Sequence, residues 1–497
     1  MSFFADTAMH AGPGIFLILA VGLALAFEFV NGFHDTANAV ATVIYTHTLR
    51  PWIAVIWSGM WNLIGVLTSS GAVAYGIIAL LPVELVVNAG SGAGFAMVFA
   101  LLIAAIVWNA GTWFLGLPAS SSHSLIGSIL GVGLANSLLS SGQHFGEGVN
   151  WAKAGEVGLS LLVSPLVGFT CSALLLLGAK ALIRNPKLYE APEGEQPPPG
   201  WIRGLLMLTC TGVSFAHGSN DGQKGMGLIM LILIGVLPAS YALKMNSEPA
   251  AVAQIVASSQ AASTALAGGA HGVTLTNDQA TSELSNFLKT GHATDEKLFA
   301  ALTTKTNAIA EKLAGKRTFQ DLPGEERRNL RTDFYLTSSA LAKTIGQGKI
   351  TDPGTKTSLV AFRGQIDQLT KFIPDWVKFA VAISLGLGTM IGWKRIVVTV
   401  GEKIGKAHLS YGQGAAAELV AMGTILAADN FGLPVSTTHV LSSGIAGTMA
   451  ANRSGLQKET LRNILLAWVL TLPVCMLLGA GLFAFGLFIV FKVLGLH

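Results

Sequence analysis

Two aspartates in apolar surroundings are the first residues of this 497-residue chain that could do chemistry. Asp35 lies in Asn31-Gly-Phe-His-Asp-Thr-Ala-Asn-Ala39, and Asp221 in His217-Gly-Ser-Asn-Asp-Gly-Gln-Lys-Gly225. In each motif a glycine, Gly32 or Gly218, precedes the Asp by three positions. A carboxylate near the bilayer centre costs ~2.5–3.5 kcal/mol even on the lenient insertion scale, so such a residue marks a partner or a task. The plainer reading is a helix-end carboxylate at the interface. Two copies with matching neighbours argue instead for handling charge: a cation, a proton, or the countercharge of an anion.

A second pair is nearly identical: Gly116-Leu-Pro-Ala-Ser-Ser-Ser-His123 and Gly432-Leu-Pro-Val-Ser-Thr-Thr-His439. Gly-x-Pro ends a helix, and hydroxyl residues open the next one as N-caps. A helix start offers free N–H groups and a partial positive charge, which suits an oxyanion. Two such starts would face one tetrahedral anion from opposite sides. The plainer alternative is a pair of proline kinks with Ser/Thr satisfying backbone. His123 and His439 are expected to hydrogen-bond neighbouring helices rather than carry protons. Glu28 is a lone helix carboxylate with an open role.

Enzymatic signatures are absent. The chain has no G-x-S-x-G, no H-E-x-x-H and no nucleophile–base pair, and Gly218–Gly225 fails the spacing of a phosphate loop. Cys171, Cys210 and Cys475 lie in apolar runs without a C-x-x-C. Neither catalytic residues nor metal ligands are assigned, and no cofactor is expected.

The elements that must hold these motifs are membrane helices. The chain is 51% hydrophobic and 12% charged, with 58 glycines and a mean hydropathy of +0.57. Soluble domains are about one-quarter charged, so a disordered chain, a disulfide scaffold and an ordinary cytosolic enzyme are excluded. A net charge of +4 is too small to argue for nucleic acid. Apolar stretches run roughly Gly14–Val30, Trp52–Leu81, Phe95–Leu115, Val157–Leu182, Leu205–Phe215, Met226–Leu243, Trp376–Trp393, Gly412–Ala428 and Ile464–Val493. A crossing needs ~20 apolar residues. Gly14–Val30 lacks the charged flank and cleavage site of a signal peptide and reads as a retained helix.

Charge concentrates in 246–373, which holds 14 Lys/Arg and 12 Asp/Glu. This segment reads as a loosely helical extramembrane insert, with helical spacing over Lys289–Leu313 and Gln320–Thr344; a mobile loop is the blander alternative. The organisation is a first transmembrane repeat over 1–183, a polar linker over 184–203, a second repeat starting at 204–245, the insert at 246–373, and the remainder of the second repeat at 374–497. Asp35 precedes Pro118 by 83 positions and Asp221 precedes Pro434 by 213. The excess of 130 nearly equals the insert, so removing it puts the halves in register. No Lys or Arg precedes Gly14, whereas Lys180, Arg184, Lys187 and Arg203 populate the linker. By the positive-inside rule the halves enter from opposite sides, as inverted repeats. One detail runs the other way: if Leu205–Phe215 and Met226–Leu243 each cross, the insert is cytoplasmic while its counterpart near Arg50 lies outside.

At these four motifs, which together span both membrane halves, the chain resembles the inorganic phosphate transporter (PiT) family in its bacterial low-affinity Pit type. The resemblance implies an all-α, polytopic integral membrane protein with two inverted repeats, discontinuous helices and re-entrant hairpins, in the bacterial cytoplasmic (inner) membrane. It implies symport of inorganic phosphate with sodium or protons, in contact with membrane lipid and open to a homo-oligomeric state. Carried over residue by residue, the phosphate site is Asp35, Asn38, Ser120, Ser121, Ser122, Asn220, Asp221, Ser436, Thr437 and Thr438. Sodium-coupled members resemble N-G-x-N-D-x-x-N in both repeats. Here His34 and Lys224 replace an Asn in the first and second copies respectively. A lysine ammonium only donates and cannot ligate a cation. Coupling is therefore expected to involve protons, through His34, Asp35, Asp221 and Lys224. The resemblance further suggests a neutral complex of phosphate with magnesium or another divalent metal as the form carried. The competing readings are a symporter for another tetrahedral oxyanion such as sulfate, a sodium-coupled phosphate symporter, an anion channel and an intramembrane hydrolase.

Overall fold

The computed structural model describes residues 11–35, 37–81, 86, 90–140, 144–147, 149–192, 194 and 196–495, without the side chains of 11–13, 37, 38 and 239. The described residues form helices and no named strand. Among the described residues seven stretches are long and apolar enough to cross a membrane: Gly14–Tyr45, Pro51–Thr68, Gly92–Phe114, Ser121–Leu139, Trp151–Leu182, Asp375–Gly392 and Lys458–Val493. At 1.5 Å per residue, even 18 residues reach ~27 Å, close to the hydrocarbon thickness. Leu159, Leu162, Leu166, Leu174 and Leu177 of Trp151–Leu182 are exposed. Such an apolar face suits lipid rather than water.

In chain order the membrane helices are α1 (Ala11–Asp35), α2 (Ala37–Tyr45), α3 (Pro51–Thr68), α4 (Ala72–Ile78), α5 (Gly92–Phe114), α6 (Ser121–Leu139), α7 (Trp151–Leu182), α8 (Gly200–Val236) and α9 (Pro238–Tyr241). The insert contributes α10 (Pro249–Ala267), α11 (Asn277–Thr290), α12 (Asp295–Leu313), α13 (Gly324–Gly346) and α14 (Pro353–Thr370). The membrane body resumes with α15 (Asp375–Gly392), α16 (Lys394–Glu402), α17 (Tyr411–Asn430), α18 (Thr437–Ala451) and α19 (Lys458–Phe488).

Packing between the halves is reciprocal. The first-motif helix α1 packs on α15 and α5, and the second-motif helix α8 packs on α3 and α17. Likewise α6 packs on α5 and α19, and α18 on α17 and α7. Each half therefore lends a helix to the other's motif. The repeated glycines make this possible. A Cβ on Gly32 would collide with Leu385 O and Thr389 N of α15, and one on Gly218 with the Asn62 backbone of α3.

The second motif departs from the expected discontinuous arrangement. Leu205–Phe215 and Met226 onward belong to one uninterrupted 37-residue helix, α8, with the polar residues in its middle. They are not two crossings, so the premise of the topological conflict noted above does not hold. Burial explains the continuity. The polar turn His217–Lys224 is wholly buried, where helix geometry satisfies most of its backbone. Gly225 N also donates to Glu28 Oε1 of α1 at 2.6 Å. Glu28 Oε2 also accepts from Asn31 Nδ2 at 3.2 Å.

The insert is more ordered than a loosely helical segment. Its helices enclose their own core, including Phe287, Phe319, Phe334 and Phe362. Lys305 is buried among them, with Nζ 2.8 Å from Asp333 Oδ1 and 2.7 Å from Asn277 Oδ1. Asp352 caps α14 by accepting Thr355 N at 2.7 Å, and this bond holds its carboxyl below the usual range. The two ends of the insert meet where Lys244 N donates to Leu369 O at 2.9 Å.

Candidate functional site

Both hydroxyl turns are built the same way. Helix α5 ends at Gly116 (φ +67°) and α17 at Gly432 (φ +63°), a left-handed conformation that glycine adopts freely. Leu117 N bonds Thr112 O at 2.9 Å and Leu433 N bonds Ala428 O at 3.0 Å, the long closing bond of a Schellman stop. Proline follows, and then the hydroxyl run opens the next helix. Ser120 Oγ accepts His123 N at 3.2 Å and Ser436 Oγ accepts His439 N at 3.1 Å. Ser120 and Ser436 are thus N-caps, and residues 121 and 437 begin α6 and α18.

The two helix starts converge on one carboxylate. Asp35, the last residue of α1, accepts Ser121 Oγ at 2.5 Å through Oδ2 and Thr438 Oγ1 at 2.7 Å through Oδ1. An oxyanion between two helix N-termini is the geometry expected for the solute, and here the Asp35 carboxylate occupies it. Ser122 Oγ donates to Val435 O at 2.9 Å, which ties the turns together. Among the described residues Thr437 Oγ1 is buried without a hydrogen-bond partner.

The second motif arrives from α8. Lys224 Nζ lies 2.7 Å from Asp221 Oδ2 and donates to Ser121 Oγ at 3.2 Å. Lys224 therefore links the second aspartate to the first hydroxyl turn. Asn220 brackets the second turn, with Nδ2 donating to Leu433 O at 3.2 Å and Oδ1 accepting Val435 N at 3.5 Å. The side chain of Asn38 lies outside the described residues.

Two histidines flank the aspartates. His34 Nδ1 lies 3.0 Å from Asp35 Oδ1, and its Nε2 lies 3.1 Å from Thr112 Oγ1. Thr112 Oγ1 is also 2.9 Å from Trp108 O, the back-bond common for a helical threonine. With that proton committed to Trp108, His34 Nε2 must donate, and Nδ1 must also donate if Asp35 is ionised. The His34–Asp35 pair therefore has room for one proton beyond a neutral imidazole and a carboxylate. His217 Nε2 lies 3.4 Å from Asp221 Oδ2, and its Nδ1 lies 2.7 Å from Asn62 Oδ1.

His217, Asn62 and Thr112 were not singled out from sequence. His217 was visible in principle, since it precedes Asp221 by four positions and so shares its helix face; Asn62 and Thr112 reach the site only through tertiary packing. Asp35, His217 and Asp221 each present a ligand atom, all within 4.8 Å of one another. No metal ligands were assigned from sequence, and these three form a group with metal-binding spacing. His123 and His439 correct a further expectation. Their rings pack against each other at 4.5 Å between centroids, and His439 stacks on Trp468 at 4.0 Å. Among the described residues His123 Nδ1 and His439 Nε2 have no hydrogen-bond partner, and the two rings pack on each other across helices.

A profile of the phosphate transporter family matches residues 31–479. The chain is 40% identical to the low-affinity inorganic phosphate transporter PitA of Escherichia coli (strain K12), over 97% of this chain and 98% of the relative. It is 39% identical to PitB of the same organism over 95% and 96%. It is 28% identical to a probable low-affinity inorganic phosphate transporter of Bacillus subtilis (strain 168) over 94% and 96%. A solved structure described as the sodium-dependent phosphate transporter aligns with a TM-score of 0.50 at 21% identity, covering 95% of this chain and 98% of that one. That likeness concerns the fold.

Proposed function

Because the chain belongs to the phosphate transporter family, we propose that it carries inorganic phosphate across a bacterial cytoplasmic membrane as a secondary symporter driven by protons. The observation that carries the reading is the convergence of both hydroxyl turns on Asp35, beside the Lys224–Asp221 pair. Phosphate takes the place of the Asp35 carboxylate at Ser121 and Thr438, and Asp35 withdraws or is protonated. An added anion beside Asp35 and Asp221 in a low dielectric is repelled unless charge is cancelled. Lys224 supplies one fixed positive charge in place of one sodium ion. The His34–Asp35 pair supplies the site for a mobile proton. The reciprocal packing of the halves supports a two-fold relation between repeats, and inverted repeats of this kind turn one closed gate into the mirror of the other.

A second reading has its own support. Asp35, His217 and Asp221 have the spacing to accept a divalent cation. Magnesium or a similar ion would then travel as part of a neutral metal–phosphate solute, with Lys224 displaced from Asp221.

Uptake of labelled phosphate into proteoliposomes, challenged with excess sulfate, tests the assignment. Phosphate accumulation that sulfate leaves unchanged is expected, and that Asp35→Asn and Asp221→Asn abolish. Sulfate transport at a similar rate would make the protein a general oxyanion carrier. Uptake that rises with added magnesium, and that is lost in His217→Ala, would favour the metal–phosphate form.

A further inference from the structure

Helix α8 grips the second hydroxyl turn with residues that do not face the first. Gln223, wholly buried, follows Asp221 by two positions and so lies about 160° from it around the helix. Its Nε2 donates to Asp429 Oδ1 at 2.6 Å, at the end of α17 just before the turn. Its Oε1 accepts Val73 N at 2.9 Å and Ala74 N at 3.4 Å, the free donors in the first turn of α4. Ser219 Oγ donates to the other oxygen of Asp429 at 2.7 Å. One amide therefore joins three elements: the second-motif helix, the second turn and the short helix α4.

Helix α4 lies directly on that turn. A Cβ on Gly76 would come within 2.7 Å of Gly432 O, and one on Gly432 within 3.3 Å of Ala72 Cβ. Only seven residues long, α4 cannot hold itself by its own hydrogen bonds, since short helices are marginal alone. We propose that Gln223 and Asp429 form a latch that keeps α4 seated over the second hydroxyl turn, and that its release is a step in exposing the solute site. Both are positioning residues; neither touches the solute. The proposal rests on the transport reading for its uptake readout alone.

The hydrogen-bond chemistry separates a latch from a charge. In Asp429→Asn the new amide turns its oxygen to Gln223 Nε2 and its NH₂ to Ser219 Oγ, so the latch survives without the charge. Gln223→Glu removes the donor and sets two carboxylates face to face, so the Asp429 side of the latch opens while the acceptor for Val73 N is kept. In Gln223→Glu/Asp429→Asn the donor and acceptor exchange places and the bond between positions 223 and 429 re-forms, leaving only Ser219 O, which Gln223 Nε2 also serves at 2.8 Å, without its donor. The test is amide hydrogen exchange over residues 70–80, measured with phosphate KM and maximal uptake on the same purified preparations. Gln223→Leu, which removes the acceptor of Val73 N and Ala74 N as well as the donor to Asp429, is expected to speed exchange at those two amides by about tenfold, the equivalent of one ordinary hydrogen bond. The same variant changes maximal uptake more than KM. Asp429→Asn is expected to match the wild type in both readouts, and the double variant to recover most of the uptake that Gln223→Glu loses, which also certifies that the proteins fold. Loss in Asp429→Asn equal to that in Gln223→Glu, without recovery in the double, would overturn the latch and make Asp429 a charge site. Unchanged exchange in Gln223→Leu would overturn it as well, as would faster exchange with unaltered uptake. If the wild type moves no phosphate, the transport reading fails while the exchange comparison still judges the latch.

Discussion

Lys224→Asn removes one charge from a pair that water does not reach. Both Lys224 and Asp221 are 0% exposed, and their ion pair is 2.7 Å long. Deleting one partner of a buried pair costs about 3–5 kcal/mol, because the other charge is left uncompensated. That is about two to nearly four decades in an equilibrium constant. The cost falls either on folding or on the ion that must take the vacated place. Asparagine offers a carbonyl oxygen where lysine offered only donors, so a sodium ion becomes a competent replacement. Uptake of labelled phosphate in sodium-free medium should fall by at least about a hundredfold, and added sodium should restore part of it. Asp221→Asn/Lys224→Asn removes both charges and should recover thermal stability without recovering uptake, which separates the folding cost from the mechanistic one. Sodium-independent uptake at wild-type rates by Lys224→Asn would refute the claim that the ammonium is the resident counter-charge.

Three further outcomes follow from the same geometry. Ser121→Ala and Thr438→Ala should each raise the phosphate KM about tenfold to a hundredfold, since a hydrogen bond to a charged group is worth ~1.5–3 kcal/mol; Ser122→Ala, whose hydroxyl serves Val435 O, should affect KM less. Replacing 248–368 by a short Gly/Ser linker should keep uptake, because Lys244 N and Leu369 O already meet at 2.9 Å; a well-inserted but inactive deletion would assign the insert a part in the cycle. Phe334→Ala, at the centre of the insert core, should cost about 3–5 kcal/mol and open the insert to limited proteolysis, with the membrane helices still protected.

The two hydroxyl turns were legible residue by residue, because Gly-Leu-Pro followed by hydroxyls dictates a Schellman stop, a break and an N-cap through local chemistry alone. The pairing of Lys224 with Asp221 was legible too, being three positions apart on a helix. What local pattern could not supply was the continuity of α8. The run His217–Lys224 interrupts an apolar stretch and reads as a break, yet it stays helical where it is buried against α3. Helix α10 went unseen because its sequence is rich in Ala and Ser and nearly uncharged, so it lacks the polar face that marked α12 and α13. The packing of His123 on His439 depends on two turns 316 positions apart meeting in space, which no periodicity reports.

The central claim is that protons, not sodium, drive phosphate through this site. Proteoliposomes with the same external pH and phosphate, given either an inward proton gradient or an inward sodium gradient, test it most directly. Accumulation that follows the proton gradient, is indifferent to sodium and disappears in Asp35→Asn is the predicted result. Accumulation driven by the sodium gradient in the unmodified protein would contradict it.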